Sequence, residues 1–390
     1  MAEPNDWREE TALVHVGRTE GETNAVRTVA PPLQRASTVL LERAEALYAS
    51  DRPTYGRQSL AVHDALRAGL NALEGASHTE LFSSGLAAIA GALLAVLKPN
   101  DRIAVCDSVY NPTRRLCDTL LARFGVSTRY FAPRAPVSDI FAGEDLALVV
   151  LESPGSLTFE MQDVAVIAEA ARARGARSLI DNTYGAGVLF KPLSLGVDLS
   201  VQSLTKYVCG HADVFLGSVS VRDPELAAAL TAHVLQTGQS AAPDDVYQAV
   251  RGLRTLATRL ARHEANGREV ADWLAARPEV ARVLHPARRD FPDHALWARD
   301  FRGANGLFSF VLQGGGPRQA HAFLNALSLF GLGFSWGGYE SLAILCDPQI
   351  RRTAAPWRAE GPLIRLHVGL EDPADLVQDL ERGLRAWREA

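Results

Sequence analysis

Lys206 lies in the stretch QSLTKYVCGH, just past an alternating run, VDLSV, that predicts a strand. The hydroxyl residues Ser203 and Thr205 precede it, and a tyrosine follows it. An amine held in an enclosed, positively biased crevice can lose its proton and act as a nucleophile toward aldehydes. The alternative is an ordinary exposed surface lysine, and Lys206 taken alone does not exclude it.

Two further motifs could place a carboxylate and a phosphate site beside this amine. Asp181 lies near the end of the run RSLIDN, where its carboxylate would point into a crevice, although a turn cap shared with Asn182 is the simpler alternative. The stretch SSGLAA at 83–88 begins a helix, so its free backbone N–H groups could hold a phosphate. An amine, a carboxylate, hydroxyl groups, amides and an aromatic face together suit a phosphate-bearing aldehyde cofactor.

Alternating helices and short apolar strands must position these groups. Strands that are apolar on both faces and separated by helices predict a mainly parallel sheet covered on two sides, in an α/β fold. In such sheets ligands bind at the carboxyl ends of the strands, where Asp181 and Lys206 are predicted to lie. The predicted strands include RIAVCDS, LALVVLES and RSLIDN, and the predicted helices include 85–97, 112–123 and 162–174.

The chain divides into an arm and two domains. Residues 1–58, which include TVAPPLQRAST, are rich in proline and polar residues and predict an extended N-terminal arm. Residues 59–255 form the predicted cofactor-binding large domain. Residues 256–390 form a predicted smaller α+β domain with strands at GLFSFVL and PLIRLHV, and a long helical stretch over about 244–276 links the two domains.

The composition limits the classes of partner. The chain has 390 residues, of which 47% are hydrophobic and 22% charged, and its net charge is -5 with both signs interspersed. No basic run is long enough to predict a nucleic-acid partner. The most apolar segment, LAAIAGALLAVL, is well short of the roughly 20 residues of a membrane span. The start MAEPNDWREE lacks the features of a secretory signal, so we expect a soluble cytoplasmic protein with no membrane partner.

The cysteines and histidines do not predict a metal site. The four cysteines are scattered without CxxC pairing, which favours buried, inert thiols over a disulfide framework or a zinc site. The ten histidines show no HExxH spacing. We therefore predict no metal.

Over nearly its whole length the chain resembles the Cys/Met-metabolism family of pyridoxal-phosphate (PLP) enzymes. The resemblance implies PLP as cofactor and a fold of type I, like that of aspartate aminotransferase. In that fold, a large domain with a mainly parallel seven-stranded sheet precedes a smaller α+β domain. The motifs that carry the resemblance are YGR, SGLAA, DSVYNPTRR, LESPGSLTFE, DNTYGAGVLFKPL, TKYVCGHADVFLG, RGLRTL and SWGGYESL.

The same resemblance implies the roles of the cofactor-binding residues. Lys206 would hold the cofactor covalently and shuttle protons, Asp181 would pair with its ring nitrogen, and Tyr110 would stack on its ring. In the arm, Tyr55 and Arg57 would reach the cofactor phosphate of a neighbouring subunit, which implies at least a dimer. Family members are usually tetramers, so the resemblance implies a homo-oligomer built as a dimer of dimers. The remaining phosphate ligands would be the backbone of Gly85 and Leu86 and the hydroxyl groups of Ser203 and Thr205.

For the substrate, the resemblance implies an amino acid held by Arg365, Ser335 and Trp336. Arg365 would clamp the α-carboxylate, and Ser335 would help to orient Lys206. Trp336 favours the cystathionine β-lyases of bacteria, the branch most similar to this chain, although a packing tryptophan is the alternative. That branch eliminates the β-sulfur of L-cystathionine and of other cysteine S-conjugates.

Two other functions stay open at this point. A γ-acting relative, such as a cystathionine or methionine γ-lyase, would use the same residues. A noncatalytic regulator would keep the fold and the cofactor. The stretch QSLAVHDAL after YGR and the tyrosine at Tyr184 depart from the family pattern and leave the substrate preference open.

Overall fold

The computed structural model of the chain describes residues 7–17, 28–49, 52–143 and 145–390. Parts of the predicted arm, at 1–6, 18–27 and 50–51, lie outside these ranges, and so does position 144. Within the described ranges, the chain builds two sheets with helices packed on them, each with its own strand order.

The larger sheet has seven strands in the order β1-β7-β6-β5-β4-β2-β3, which confirms the predicted mainly parallel seven-stranded sheet. Strands β2 to β6 pair in parallel, whereas β7 runs antiparallel to both of its neighbours. The strands are β1 (His78–Phe82), β2 (Arg102–Cys106), β3 (Ser127–Phe131), β4 (Leu148–Glu152), β5 (Arg177–Asp181), β6 (Leu199–Ser203) and β7 (Gly217–Val221).

Helices connect these strands and cover the sheet. Their apolar residues pack with the strands into one core, in which Leu66, Leu93 and Ile103 are fully buried. The helices are α1 (Glu9–Val14), α2 (Ala61–Glu74), α3 (Gly85–Val96), α4 (Asn111–Thr119), α5 (Val137–Ile140), α6 (Val164–Ala173), α7 (Pro224–Thr237) and α8 (Pro243–Arg254).

The second domain is the predicted α+β unit. Its five-stranded sheet has the order β10-β11-β12-β9-β8, and a separate core lies between this sheet and its helices. Its elements are α9 (Leu256–Ala275), β8 (Val280–Leu284), α10 (His294–Asp300), β9 (Leu307–Leu312), α11 (Pro317–Asn325), β10 (Gly331–Leu332), β11 (Leu342–Leu345), β12 (Leu363–His367) and α12 (Pro373–Glu389).

The predicted long helix over 244–276 is two helices. Helix α8 ends at Arg254 and α9 begins at Leu256, because Thr255 leaves the helical conformation with φ -107° and ψ 6°. The break lets α8 pack on α2 of the large domain while α9 packs on β8 and α12 of the small domain.

The cysteines are buried, as predicted. All four are free thiols, and burial raises the pKa of each to about 12, so none is a ready nucleophile. No cluster of potential metal ligands occurs among the described residues. No helix in the described ranges combines the length and apolar character needed to cross a bilayer.

Candidate active site

A cleft of about 680 Å³ lies along the carboxyl ends of the parallel strands, between the two domains. All the predicted site residues except Tyr55 and Arg57 line it. The structure therefore brings together groups that lie up to 280 positions apart in the chain, from Gly85 to Arg365. A cleft at this edge of the sheet is where open α/β folds bind ligands.

Lys206 lies in the turn that follows β6. Its Nζ donates a hydrogen bond to Ser335 Oγ at 2.7 Å and lies 5.4 Å from the centre of the Trp336 ring. Burial and, to a smaller extent, the nearby charge of Arg365 lower the pKa of Lys206 to about 8. Near neutral pH the neutral, nucleophilic form of the amine is therefore far more populated than in an ordinary lysine.

Asp181 ends β5 and keeps one carboxylate oxygen available. Its Oδ1 accepts hydrogen bonds from the Thr183 amide at 3.0 Å and the Thr183 hydroxyl at 2.5 Å. Burial raises the pKa of Asp181, while the two Thr183 bonds and Lys206 favour its charged form. An acidic group in this environment would be stabilised by a cationic ring nitrogen.

Glu152, at the end of β4, is a site residue that the sequence reasoning missed. It pairs in register with Asp181 on the neighbouring strand. Its carboxylate accepts a hydrogen bond from the amide of Tyr110 at 2.5 Å and so fixes the residue immediately before helix α4. Burial and the adjacent Asp181 charge raise the pKa of Glu152 well above its ordinary value. Two acidic groups so close favour one charge rather than two.

The amino end of α3 forms an anion-binding cradle. Ser84 Oγ accepts from the amide of Ala87 at 3.1 Å, which leaves the amides of Gly85 and Leu86 without intrahelical partners. A Cβ on Gly85 would lie 2.4 Å from Ser203 Cβ, so only glycine allows the helix to come this close to β6. Amide donors and a helix N-terminus suit a phosphate.

The two hydroxyl residues that flank Lys206 differ in their contacts. Ser203 lies directly against Gly85 at the cradle. Thr205 Oγ1 instead donates to Leu216 O at 3.2 Å and accepts from Leu216 N at 3.0 Å. Because its proton is used in that contact, Thr205 fixes the Lys206 turn against the start of β7.

Arg365 lies on β12 and faces the cleft from the small domain. It is 9% exposed, and within the described chain no carboxylate lies within ion-pair distance of it. One nitrogen donates to the backbone oxygen of Ser335 at 3.0 Å. A buried guanidinium without an acidic partner is costly, which indicates that a ligand supplies the carboxylate.

The segment 335–338 connects Arg365 to Lys206, and His367 holds it. Ser335 has φ 77°, an uncommon conformation for a residue with a side chain, and a Cβ on Gly337 would lie 2.7 Å from the Tyr207 amide. His367 Nε2 lies 3.1 Å from the Gly337 amide nitrogen and 3.0 Å from the Gly338 oxygen. Either imidazole tautomer therefore fixes the segment.

His367 was also missed from the sequence, although a signal existed. It lies two residues after Arg365 on the same strand, so both side chains point to the same face of the sheet. Burial lowers the pKa of His367 to about 3, so the ring stays neutral. It packs against the rings of Tyr207 and His263, with centres 5.9 and 5.2 Å away.

Tyr55 and Arg57 lie away from the cleft of their own chain. Tyr55 is 45% exposed, and Arg57 donates to the oxygen of Leu235 on α7 at 3.3 Å. Thr38 and Tyr55 form an isolated antiparallel bridge that orders this part of the arm.

Comparison with known proteins agrees with this geometry. A model of the family described as Cys/Met metabolism PLP-dependent enzyme matches residues 10–385. Cystathionine beta-lyase MetC of Escherichia coli K12 is 38% identical, with 97% of this chain and 98% of that protein covered. The cystathionine beta-lyase of Bordetella avium is 39% identical, with 96% and 97% covered.

A solved structure is also similar over the full length. Cystathionine gamma synthase from Xanthomonas oryzae pv. oryzae, in complex with aminoacrylate and cysteine, has a TM-score of 0.91, is 32% identical, and covers 98% of this chain and 99% of its own. The fold and the cleft define a PLP-dependent enzyme of type I fold. The chain belongs to the Cys/Met metabolism PLP-dependent enzyme family.

The residues of the cleft fit PLP. A phosphate could bind the amides at the start of α3, and a ring nitrogen could meet the available oxygen of Asp181. Lys206 supplies a buried amine of lowered pKa, and Tyr110 supplies an aromatic ring whose backbone Glu152 fixes. Each chemical group of the cofactor thus has a matching group in the cleft.

Proposed function

We propose that this protein is a cystathionine β-lyase that converts L-cystathionine to homocysteine, pyruvate and ammonia. The observation that carries the proposal is the pairing in one cleft of a buried lysine of lowered pKa with a buried arginine that lacks an acidic partner in the described chain. The first can move a proton at Cα, and the second can fix the adjacent carboxylate. Other cysteine S-conjugates could react by the same chemistry.

Lys206 is the proposed proton carrier. Bound PLP would supply an electron sink that stabilises negative charge at Cα. Lys206 Nζ would remove the Cα proton, and the Cβ–S bond would break with formation of a Cα–Cβ double bond. The leaving thiolate would take the proton from Lys206 and depart as a thiol. The aminoacrylate that remains would react with one water to give pyruvate and ammonia.

Three residues would position the substrate relative to Lys206: Arg365, Ser335 and Trp336. Arg365 would bind the α-carboxylate through its planar fork of donors. Ser335 would direct Lys206 through the 2.7 Å hydrogen bond, and Trp336 would exclude water from the amine. The carboxylate of Asp181 would keep the ring nitrogen protonated.

Product identification tests the proposal against the γ-acting alternative. Purified protein loaded with PLP and incubated with L-cystathionine should yield pyruvate and homocysteine. A γ-lyase would yield 2-oxobutyrate and cysteine instead. A protein that binds PLP but releases no keto acid from cystathionine or other cysteine S-conjugates would favour the noncatalytic regulator.

The proposal extends to the assembly. Tyr55 and Arg57 lie outside the cleft of their own chain and are accessible, Tyr55 being 45% exposed. In the proposed dimer of dimers they would reach the phosphate bound by a neighbouring subunit, and the enzyme would act in the cytoplasm. Sedimentation analysis of the PLP-bound protein would measure the oligomeric state.

A further inference from the structure

Apart from the Tyr184 hydroxyl, two hydrogen-bond donors of residues that line the cleft have no partner within the described part of the chain. They are Gln349 Nε2 and Arg352 Nη1, and both atoms are buried. Both residues line the cleft and lie three positions apart, after β11. Buried donors are normally satisfied, so two of them at one wall indicate a ligand with acceptor atoms.

Arg352 is held firmly in place. Its Nη2 donates to Thr158 Oγ1 at 2.5 Å and lies 3.3 Å from Glu160, and its side chain is 7% exposed. These contacts use only one end of the guanidinium. The other nitrogen, Nη1, therefore presents N–H donors from a fixed position.

The chain that follows Arg352 is equally fixed. Asp107, just after β2, accepts from the amides of Thr353 and Ala354, each at 2.9 Å. Arg114 pairs with Asp107 at 2.6 Å and donates to Thr353 Oγ1 at 2.7 Å. The wall that carries the two free donors is thus tied to the carboxyl ends of β2 and β4 and needs no rearrangement to receive a ligand.

This wall lies far from the phosphate cradle. The cradle is at β6, whereas Arg352 contacts the loop after β4, and Asp107 follows β2. The sheet order β6-β5-β4-β2 separates the two places by two to three strand spacings, roughly 10–14 Å. The free donors are therefore too far away to serve the phosphate.

We propose that Gln349 and Arg352 bind a second carboxylate, carried by the thiol half of the substrate. This inference rests on the proposed β-elimination and adds the two residues that would favour L-cystathionine over cysteine S-conjugates whose leaving thiol lacks a carboxylate. The Gln349 amide is uncharged, and the charge of Arg352 is already balanced by Glu160. The two side chains would therefore recognise the carboxylate by hydrogen bonds and not by net charge. Arg365 remains the ligand of the α-carboxylate.

A specificity ratio tests the inference. We compare kcat/KM for L-cystathionine with kcat/KM for S-propyl-L-cysteine, which lacks the second carboxylate. Each of the variants Gln349→Leu and Arg352→Lys should lower the ratio of the cystathionine value to the S-propyl-cysteine value by roughly ten- to hundredfold. This is the effect expected from the loss of a hydrogen bond to a charged group. Arg352→Lys keeps a cation beside Glu160 and loses the two-pronged donor geometry.

An isosteric variant gives a sharper result. Gln349→Glu replaces the free donor by a negative charge, so the ratio should fall further than in Gln349→Leu. The same variant should gain preference for S-(2-aminoethyl)-L-cysteine, whose thiol half is cationic. Thermal unfolding and PLP absorbance of each variant control for folding, and if Arg352→Lys does not fold, the two Gln349 variants decide.

Failure of this inference and failure of the proposed function would give different results. An unchanged ratio in the Gln349 variants, or an equal loss for both substrates, would overturn the inference, because the donors would then serve no second carboxylate. Failure of the proposed function is separate, since wild-type protein would then produce pyruvate from neither substrate.

Discussion

Lys206 shares its cleft with a second buried cation, Arg365, and the proximity alters the protonation of the lysine. Burial lowers the pKa of both groups, and the charge of Arg365 disfavours a second positive charge on Lys206. Asp181 acts in the opposite direction but does not reverse the shift. The chain thereby keeps a nucleophilic amine near neutral pH without a neighbouring base.

The rate of cofactor attachment should report this pKa. In PLP-free protein the neutral amine is the nucleophile, so the rate of reaction with PLP should rise with pH and level off above about 8. Stopped-flow absorbance measures the rate. The Arg365→Leu variant removes the nearby charge and should shift the midpoint upward, whereas a wild-type midpoint near the ordinary value for lysine would contradict the assignment.

Substitution of Arg365 should affect substrate binding more than cofactor binding. Arg365→Leu removes a charge-assisted pair with the α-carboxylate, worth about 1.5–3 kcal/mol, so kcat/KM should fall by at least tenfold. Arg365→Lys should recover only part of the loss, because a single ammonium lacks the fork geometry. PLP absorbance serves as the control, and a variant with unchanged kcat/KM would refute the role.

The site residues that were predicted from the sequence are placed by local sequence pattern. The site residues that were missed act through contacts between distant positions. Lys206 and Asp181 follow apolar strand runs, so local pattern alone places them at the sheet edge. Glu152 and His367 act through backbone groups 42 and 30 positions away, at Tyr110 and Gly337. No local pattern contains such contacts, because each joins positions that are far apart in the chain and meet only after their own domain has folded.

Among the secondary-structure elements, strand β12 positions the segment 335–338 through two of its side chains. Arg365 holds the oxygen of Ser335, and His367 holds Gly337 and Gly338. Because Ser335 and Gly337 have φ of 77° and 85°, the segment keeps its shape only where its surroundings impose it. The strand thus sets the position of the hydroxyl that contacts Lys206.

The contrast between two His367 variants tests this positioning role. His367→Phe fills the space but removes the polar contacts, so kcat should fall about tenfold or more through misplacement of Ser335. His367→Gln keeps a donor and an acceptor and should recover much of that loss. The pH dependence of the visible PLP absorbance should shift in His367→Phe and not in His367→Gln. Equal behaviour of the two variants would assign His367 to packing alone.

The sequence predicted the strands of the large sheet that are buried on both faces. The central strands β2, β4 and β5 are apolar on both faces and were predicted from sequence. The edge strands β1 and β3, with the sequences HTELF and STRYF, mix polar and apolar residues and were missed. Strand β7, GSVSV, was missed because its serines are buried in the sheet, which composition does not indicate.

At the scale of the whole molecule, the proposed active site needs groups from two chains. The described chain supplies the cradle, Asp181, Lys206 and Arg365, while Tyr55 and Arg57 do not line its cleft. If they complete a neighbour's site, two variants defective in different parts should complement each other.

Subunit mixing tests this shared site. Arg57→Ala and Lys206→Ala should each be strongly impaired as homo-oligomers. Mixed oligomers contain sites in which both Arg57 and Lys206 are intact, so random mixing should recover about a quarter of wild-type activity. If the mixture is no more active than the separate variants, Arg57 does not complete the site of a neighbouring subunit, and the shared-site proposal is wrong.

The most direct test is covalent trapping of the cofactor. The chain has three lysines, Lys98, Lys191 and Lys206, and Lys191 is engaged with Glu9 at 2.8 Å. Borohydride reduction of the PLP-bound protein, digestion and mass spectrometry should place the pyridoxyl group on the peptide that contains Lys206. An adduct on Lys98 or Lys191, or none at all, would contradict the account.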